Sequence, residues 1–179
     1  MPSQRQDPAK LISRAHSPAD LSDAKLVTWK VSEPEHPLTR SLLDFWNLHK
    51  NPKGLLDRHK IPAPELKPHL PFLYLYEPVD AEGSDWRCRI SGTGITERYG
   101  AADPRGSTVR QRCPGELGEG RARNYREVCA SRRAFISRGR IMNIGRDFYE
   151  AEVINVPVLA PTGARWVLGG MFFFEGLNG

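Results

Sequence analysis

No histidine follows His69 and no lysine follows Lys67, so the remainder of this 179-residue chain carries every cation as arginine. The missing histidines remove the usual base for a Ser or Cys nucleophile and the usual haem ligand from the C-terminal part of the chain. The five that exist, His16, His36, His49, His59 and His69, sit in no G-x-S-x-G or Cys-His context. Cysteine is scarce as well. Cys88, Cys113 and Cys129 cannot all pair and show no C-x-x-C spacing, which excludes a disulfide framework and a zinc knuckle and points to a reduced compartment. Long apolar runs are absent: Trp166–Phe174 is the longest, far short of the ~20 residues that cross a bilayer. The first residues, with Arg5, Asp7 and Lys10, hold no apolar signal core, and the expectation is a cytoplasmic protein with no membrane partner. Gly92-Thr93-Gly94 lacks both the dinucleotide fingerprint and the Lys-Ser/Thr ending of a phosphate loop. No internal repeat is present.

What is there is the composition of a globular domain: 39% hydrophobic and 26% charged residues, with a mean hydropathy of -0.51. The net charge of +5 is unevenly spread. Between Arg105 and Arg146 stand eleven arginines against Glu116, Glu119 and Glu127, a local excess of eight. Residues 1–36 read as a tail and lead-in, in which 20–29 could be strand or helix, and 37–179 as one domain. Leu38, Leu42, Phe45, Trp46 and His49 line one face of a helix opened by Pro37 and ended by Asn51-Pro52 and Gly54. Four prolines stiffen 61–71. Phe72–Pro78 and Asp85–Ser91 read as a hairpin, with Trp86, Cys88 and Ile90 on one face and Arg87 and Arg89 on the other. A helical turn at Ile95–Tyr99, a loop through Cys113-Pro114 and a helix over Gly118–Arg133 follow. Strands return at Ala134–Asn143, Phe148–Val158 and Trp166–Glu175, the last two joined by a Pro161/Gly163 hairpin loop. Without repeated helical crossovers, the expected fold class is α+β with an antiparallel five-stranded sheet, flanking helices and an N-terminal helical extension. Glu150 and Glu152 share one strand face, which alternation with Tyr149, Ala151 and Val153 assigns to solvent.

A hairpin, short helices, a longer helix and a three-strand meander, in that order, resemble a PAS domain. The segments Leu42-Leu-Asp-Phe-Trp46, Ile61–Pro71, Arg87-Cys-Arg-Ile-Ser-Gly-Thr93 and Glu97-Arg-Tyr-Gly100 are similar to the short standalone PAS proteins of alphaproteobacteria. The likeness covers about residues 38–175. One departure is that Gly106 is followed by Ser107, with Arg105 before it, where that family carries a basic residue after the glycine. The resemblance implies a PAS-like fold and a non-catalytic sensory or interaction module with a small-molecule pocket and a signalling protein as partner. Neither flavin nor haem is expected: Gln111-Arg-Cys-Pro114 does not match the reactive flavin-binding stretch, and no metal ligand set is found.

Residues expected to face a ligand are Arg89, Thr93 and Tyr99 from the strand-to-turn segment, Tyr125 and Cys129 from the long helix, and Met142 and Phe148 from the later strands. Partner contacts are expected from Trp46 on the first helix, as part of a homodimer face, and from Arg132, Arg133, Arg138 and Arg140, whose guanidinium groups suit anionic groups. The rival reading is a protein that uses the Arg-rich 105–146 segment to bind nucleic acid or an anionic partner. No helix-turn-helix or RNA-binding signature accompanies that segment, and nucleic acid is the lesser expectation.

Overall fold

The computed structural model describes residues 25–99, 102–142 and 149–174. The strands are β1 (Lys25–Lys30), β2 (Leu56–Asp57), β3 (Leu73–Pro78), β4 (Trp86–Ser91), β5 (Phe135–Met142), β6 (Tyr149–Leu159) and β7 (Arg165–Phe173). The helices are α1 (Pro37–His49), α2 (Thr93–Tyr99), α3 (Val109–Arg112) and α4 (Glu116–Ser131), with 3₁₀ turns at Arg58–Lys60 and Pro64–Phe72. One antiparallel sheet runs β1-β5-β6-β7-β3-β4, and the two-residue β2 lies parallel to β6. The fold is therefore mixed α+β.

All five expected strands are present. The sheet gains a sixth because Lys25–Lys30, which the sequence left between strand and helix, pairs with β5 along its whole length. The short β2 was not foreseen. It fits because β5 stops pairing at Asn155, so the outer edge of β6 is vacant where Pro157 lacks an N–H, and Val158 and Leu159 then accept β2. The pattern also puts a loop where α3 stands; Thr108 and Gln111 close a reciprocal capping box at its start.

Helices cover both faces of the sheet. Pro37 starts α1 in its first turn, where the missing N–H costs nothing, and the His36 ring nitrogen accepts from Leu38 N–H at 3.1 Å. Leu42, Phe45 and Trp46 of α1 meet Leu75, Ile154, Val156, Leu168 and Phe172 in one buried cluster. On the opposite face Ala122, Tyr125, Val128 and Cys129 of α4 meet Tyr74, Trp86, Ala151, Val167 and Met171. Truncating any of the fully buried leucines to alanine removes about 2–5 kcal/mol.

The two-sided covering corrects the expectation for Glu150 and Glu152. They do alternate with Ala151 and Val153, but their face lies beneath the segment linking β1 to α1, leaving them 5% and 0% exposed. The Glu152 carboxylate accepts the backbone N–H groups of Glu35 and His36, each at 3.0 Å. Glu150 pairs with Arg138 and, at 3.1 Å, with Arg140. A buried carboxylate persists only with such partners.

Candidate binding cleft

Beside α4 opens a cleft of about 920 Å³, lined by β1 and β5 toward one edge of the sheet and by β3, α2 and the 102–104 segment toward the other. α4 packs on β6 and β7 in the middle of the sheet, which leaves the strands on either side of that pair to line the cleft. Period-two alternation along β3 sends Tyr74 and Tyr76 to the cleft face and Leu73 and Leu75 to the α1 face. Tyr76 and Tyr125 rings lie 5.3 Å apart, and Tyr74 meets Tyr76 edge-on at 5.7 Å. The result is an aromatic floor. Burial raises the Tyr76 and Tyr125 hydroxyl pKa values, against the opposing charge of Arg121, so both stay neutral phenols.

A hydrogen-bonded relay crosses three strands beneath this floor. In register, Tyr74 of β3 lies beside Gly169 of β7, which lies beside Asn155 of β6. A Cβ at position 169 would stand 2.0 Å from the Tyr74 ring, so only glycine lets the ring lie flat over the middle strand. The Tyr74 hydroxyl then reaches Asn155 Oδ1 at 2.8 Å, and Asn155 Nδ2 donates to Asn124 Oδ1 on α4 at 3.1 Å. Asn155, only 4% exposed, is thus satisfied inside an otherwise apolar strand.

Of the expected ligand residues, only Tyr125 lines this cleft with a described side chain. Arg89 is corrected: it is exposed on the far side of β4 and pairs with Glu77 at 3.5 Å, since alternation gives the core side to Trp86 and Cys88. Thr93 is exposed at the start of α2, where its carbonyl accepts from Thr96, and Thr96 lines the cleft in its place. Cys129 is buried with its thiol 3.6 Å from the Trp166 carbonyl, off the cleft. The side chains of Tyr99 and Met142, and the whole of Phe148, lie outside the described residues.

The partner residues are also redistributed. Trp46 is 5% exposed, packed in the α1 cluster under Lys50, so this part of the apolar face of α1 is covered by its own sheet. Arg138 and Arg140 are held by Glu35 and Glu150. Arg132 and Arg133 remain exposed beyond α4. Elsewhere in the arginine-rich segment Arg105 pairs with Asp103, Arg110 with Glu119, and Arg112 and Arg126 donate to the carbonyls of Ala102 and Gly83. Much of the local charge excess is therefore engaged within the fold.

Burial pushes the Cys88 thiol up to about 11 and the Cys129 thiol up to about 12, so both are held as thiols and are poor nucleophiles at neutral pH. Among the described residues no group of three His, Cys, Asp or Glu side chains is placed to hold a metal ion, and no helix is long and apolar enough to cross a membrane. Sequence reasoning missed Tyr74, Tyr76, Asn124 and Asn155. The signals were present: two tyrosines two apart in one strand, and a lone asparagine inside Val153-Ile-Asn-Val156. Comparison with protein-family models, with curated proteins and with solved structures finds no match for this chain.

Proposed function

We propose that the protein is a non-catalytic PAS-type sensory module of the cytoplasm, which binds a small molecule in the cleft under α4 and passes the signal on by contact with another protein. The carrying observation is the cleft itself: about 920 Å³, within the ~300–1,000 Å³ range of ligand sites, with an aromatic floor and a few placed polar groups. The order of hairpin, short helices, long helix and three-strand meander supports the PAS part of the reading. Burial keeps the Cys88 and Cys129 thiols and the Tyr76 phenol in their neutral forms at neutral pH.

The test is a thermal-shift screen of a small-molecule library against the full chain and its Gly120→Trp variant. Gly120 lines the cleft, and a Cβ there meets nothing within 4 Å, so the tryptophan enters open space. A ligand at 100 times its Kd stabilises by about 2.7 kcal/mol, an easily read shift. Hits that raise the Tm of the wild type and not of the variant are expected. A library without hits, or hits indifferent to Gly120→Trp, would sink the reading.

A further inference from the structure

The relay beneath the cleft fixes which atoms its rim presents. Because the Tyr74 hydroxyl donates to Asn155 Oδ1, the Asn155 amide must turn its Nδ2 toward α4, and Asn124 must answer with its oxygen. The Nδ2 of Asn124 is thereby directed away from the relay. It lines the cleft and has no hydrogen-bond partner among the described residues. Asn124 is half-buried, so this oriented donor faces the open cleft, where it is available to an acceptor on a bound molecule.

The surroundings say what kind of acceptor. Arg121 precedes Asn124 by three residues and Gly120 precedes it by four, so guanidinium, amide and a position with no side chain are neighbours on one helix face. Lining the cleft are Lys30, Arg112, Arg121 and Arg123 against Glu116 and Glu127, an excess of two positive charges, and Glu127 is already engaged by Lys30 at 3.6 Å. Glu150 and Glu152 sit on the other face of the sheet, bound to the β1–α1 linker and its arginine partners. The floor opposes no anion either, since Tyr76 and Tyr125 are neutral. Aromatic rings at the bottom and donors at the rim describe a molecule with an apolar aromatic body and an anionic head.

We propose that the cleft takes a small aromatic carboxylic acid, its carboxylate accepting from the Asn124 amide beside Arg121 and its ring packed against the Tyr76 and Tyr125 side chains. This rests on the small-molecule reading above and names the class of ligand. Saturation-transfer NMR on the full chain tests it with three probes: 1-naphthoate, the neutral 1-naphthamide and acetate. Naphthoate is expected to bind at least tenfold more tightly than either of the others. Asn124→Leu lowers naphthoate affinity about tenfold, and the isosteric Asn124→Asp, which replaces the donor by a like charge, removes it. In Asn124→Asp the loss of naphthoate affinity exceeds that of naphthamide by at least tenfold, because the neutral amide carries no charge for the new carboxylate to repel.

Naphthamide binding as tightly as naphthoate would overturn the anionic class while leaving a small-molecule site in place. Acetate matching naphthoate would overturn the aromatic part, and an unchanged affinity in Asn124→Asp would overturn the assigned donor. Failure of all three probes, while library hits still depend on Gly120, would overturn the ligand class alone; failure together with an empty library would remove the small-molecule reading as well.

Discussion

Replacing Gly169 by alanine tests the geometry on which the cleft depends. The new Cβ would fall 2.0, 2.1 and 2.5 Å from Cε2, Cζ and the hydroxyl oxygen of Tyr74. Carbon atoms in good contact stand about 3.5–4.0 Å apart, so the ring must move by roughly 1.5 Å or more. That movement takes its hydroxyl off Asn155, now 2.8 Å away, and leaves a buried amide oxygen without its donor. Overpacking of this kind costs about 1–3 kcal/mol, and the orphaned buried acceptor about 1–3 kcal/mol more, giving about 2–6 kcal/mol in all. Tyr74→Phe, which deletes only the hydroxyl, should cost about 1–2 kcal/mol. The decisive comparison is Gly169→Ala in a Tyr74→Ala background, where the ring is gone and the methyl group has room. There the same substitution should cost nothing, so the coupling between these positions paired across β3 and β7 equals its full cost in the wild type, about 2–6 kcal/mol. Urea unfolding followed by tryptophan fluorescence reads the four proteins of this cycle and Tyr74→Phe. Additivity to within about 0.5 kcal/mol would refute the arrangement in which Tyr74 lies across Gly169.

Two glycines on α4 should respond oppositely to alanine. At Gly120 the methyl group enters open space and the helix gains about 1 kcal/mol, a Tm rise of about 2–4 °C, whereas at Gly118 it would stand 2.0 Å from the Cys113 carbonyl, and differential scanning calorimetry should show a loss. Glu152→Gln replaces one oxygen facing the Glu35 and His36 N–H groups by a donor, which should cost about 2–4 kcal/mol in urea unfolding and speed amide exchange in residues 31–36. Burial lowers the pKa of His69, and of His36, from the ordinary 6.5. Each binds protons more weakly folded than unfolded, so its contribution is fully present above about pH 6.5 and is lost as the pH falls below that value toward the lowered pKa. Stability measured from pH 7.5 to 5.5 should therefore fall, and His69→Leu should flatten the fall; an unchanged pH profile in that variant would show that His69 plays no part in it.

Elements with a strong period were legible from the residues alone. The α1 stripe of Leu42, Phe45 and Trp46, the Trp86/Cys88 alternation and the three later strands all stand where their patterns put them. What could not be read was which faces would be covered. Alternation placed Glu150 and Glu152 together correctly, yet their burial comes from the β1–α1 linker, more than 100 residues away in the chain. The same limit affected Trp46, whose apolar face was consistent with a partner until the sheet was seen to fill it. Arg89 illustrates the reverse. Its own strand pattern put it opposite Trp86 and Cys88, and the expectation that it faces a ligand conflicted with that alternation. For the cleft, Tyr125 was identified from its helical spacing, while Tyr74, Asn155 and Asn124 were not, because their relay depends on the strand order β3-β7-β6, which brings residues 74, 169 and 155 side by side. Local pattern fixes a residue's face; only topology says who stands across from it.

Chemical-shift mapping on the ¹⁵N-labelled full chain, titrated with whichever small molecule stabilises it, tests the central claim most directly. The proposed function predicts dose-dependent shifts concentrated at the Tyr76, Asn124, Tyr125 and Asn155 amides, with the α1 residues Leu42 and Phe45 unmoved. Shifts centred on α1 and the 64–72 turn, or no shifts at saturating ligand, would contradict it.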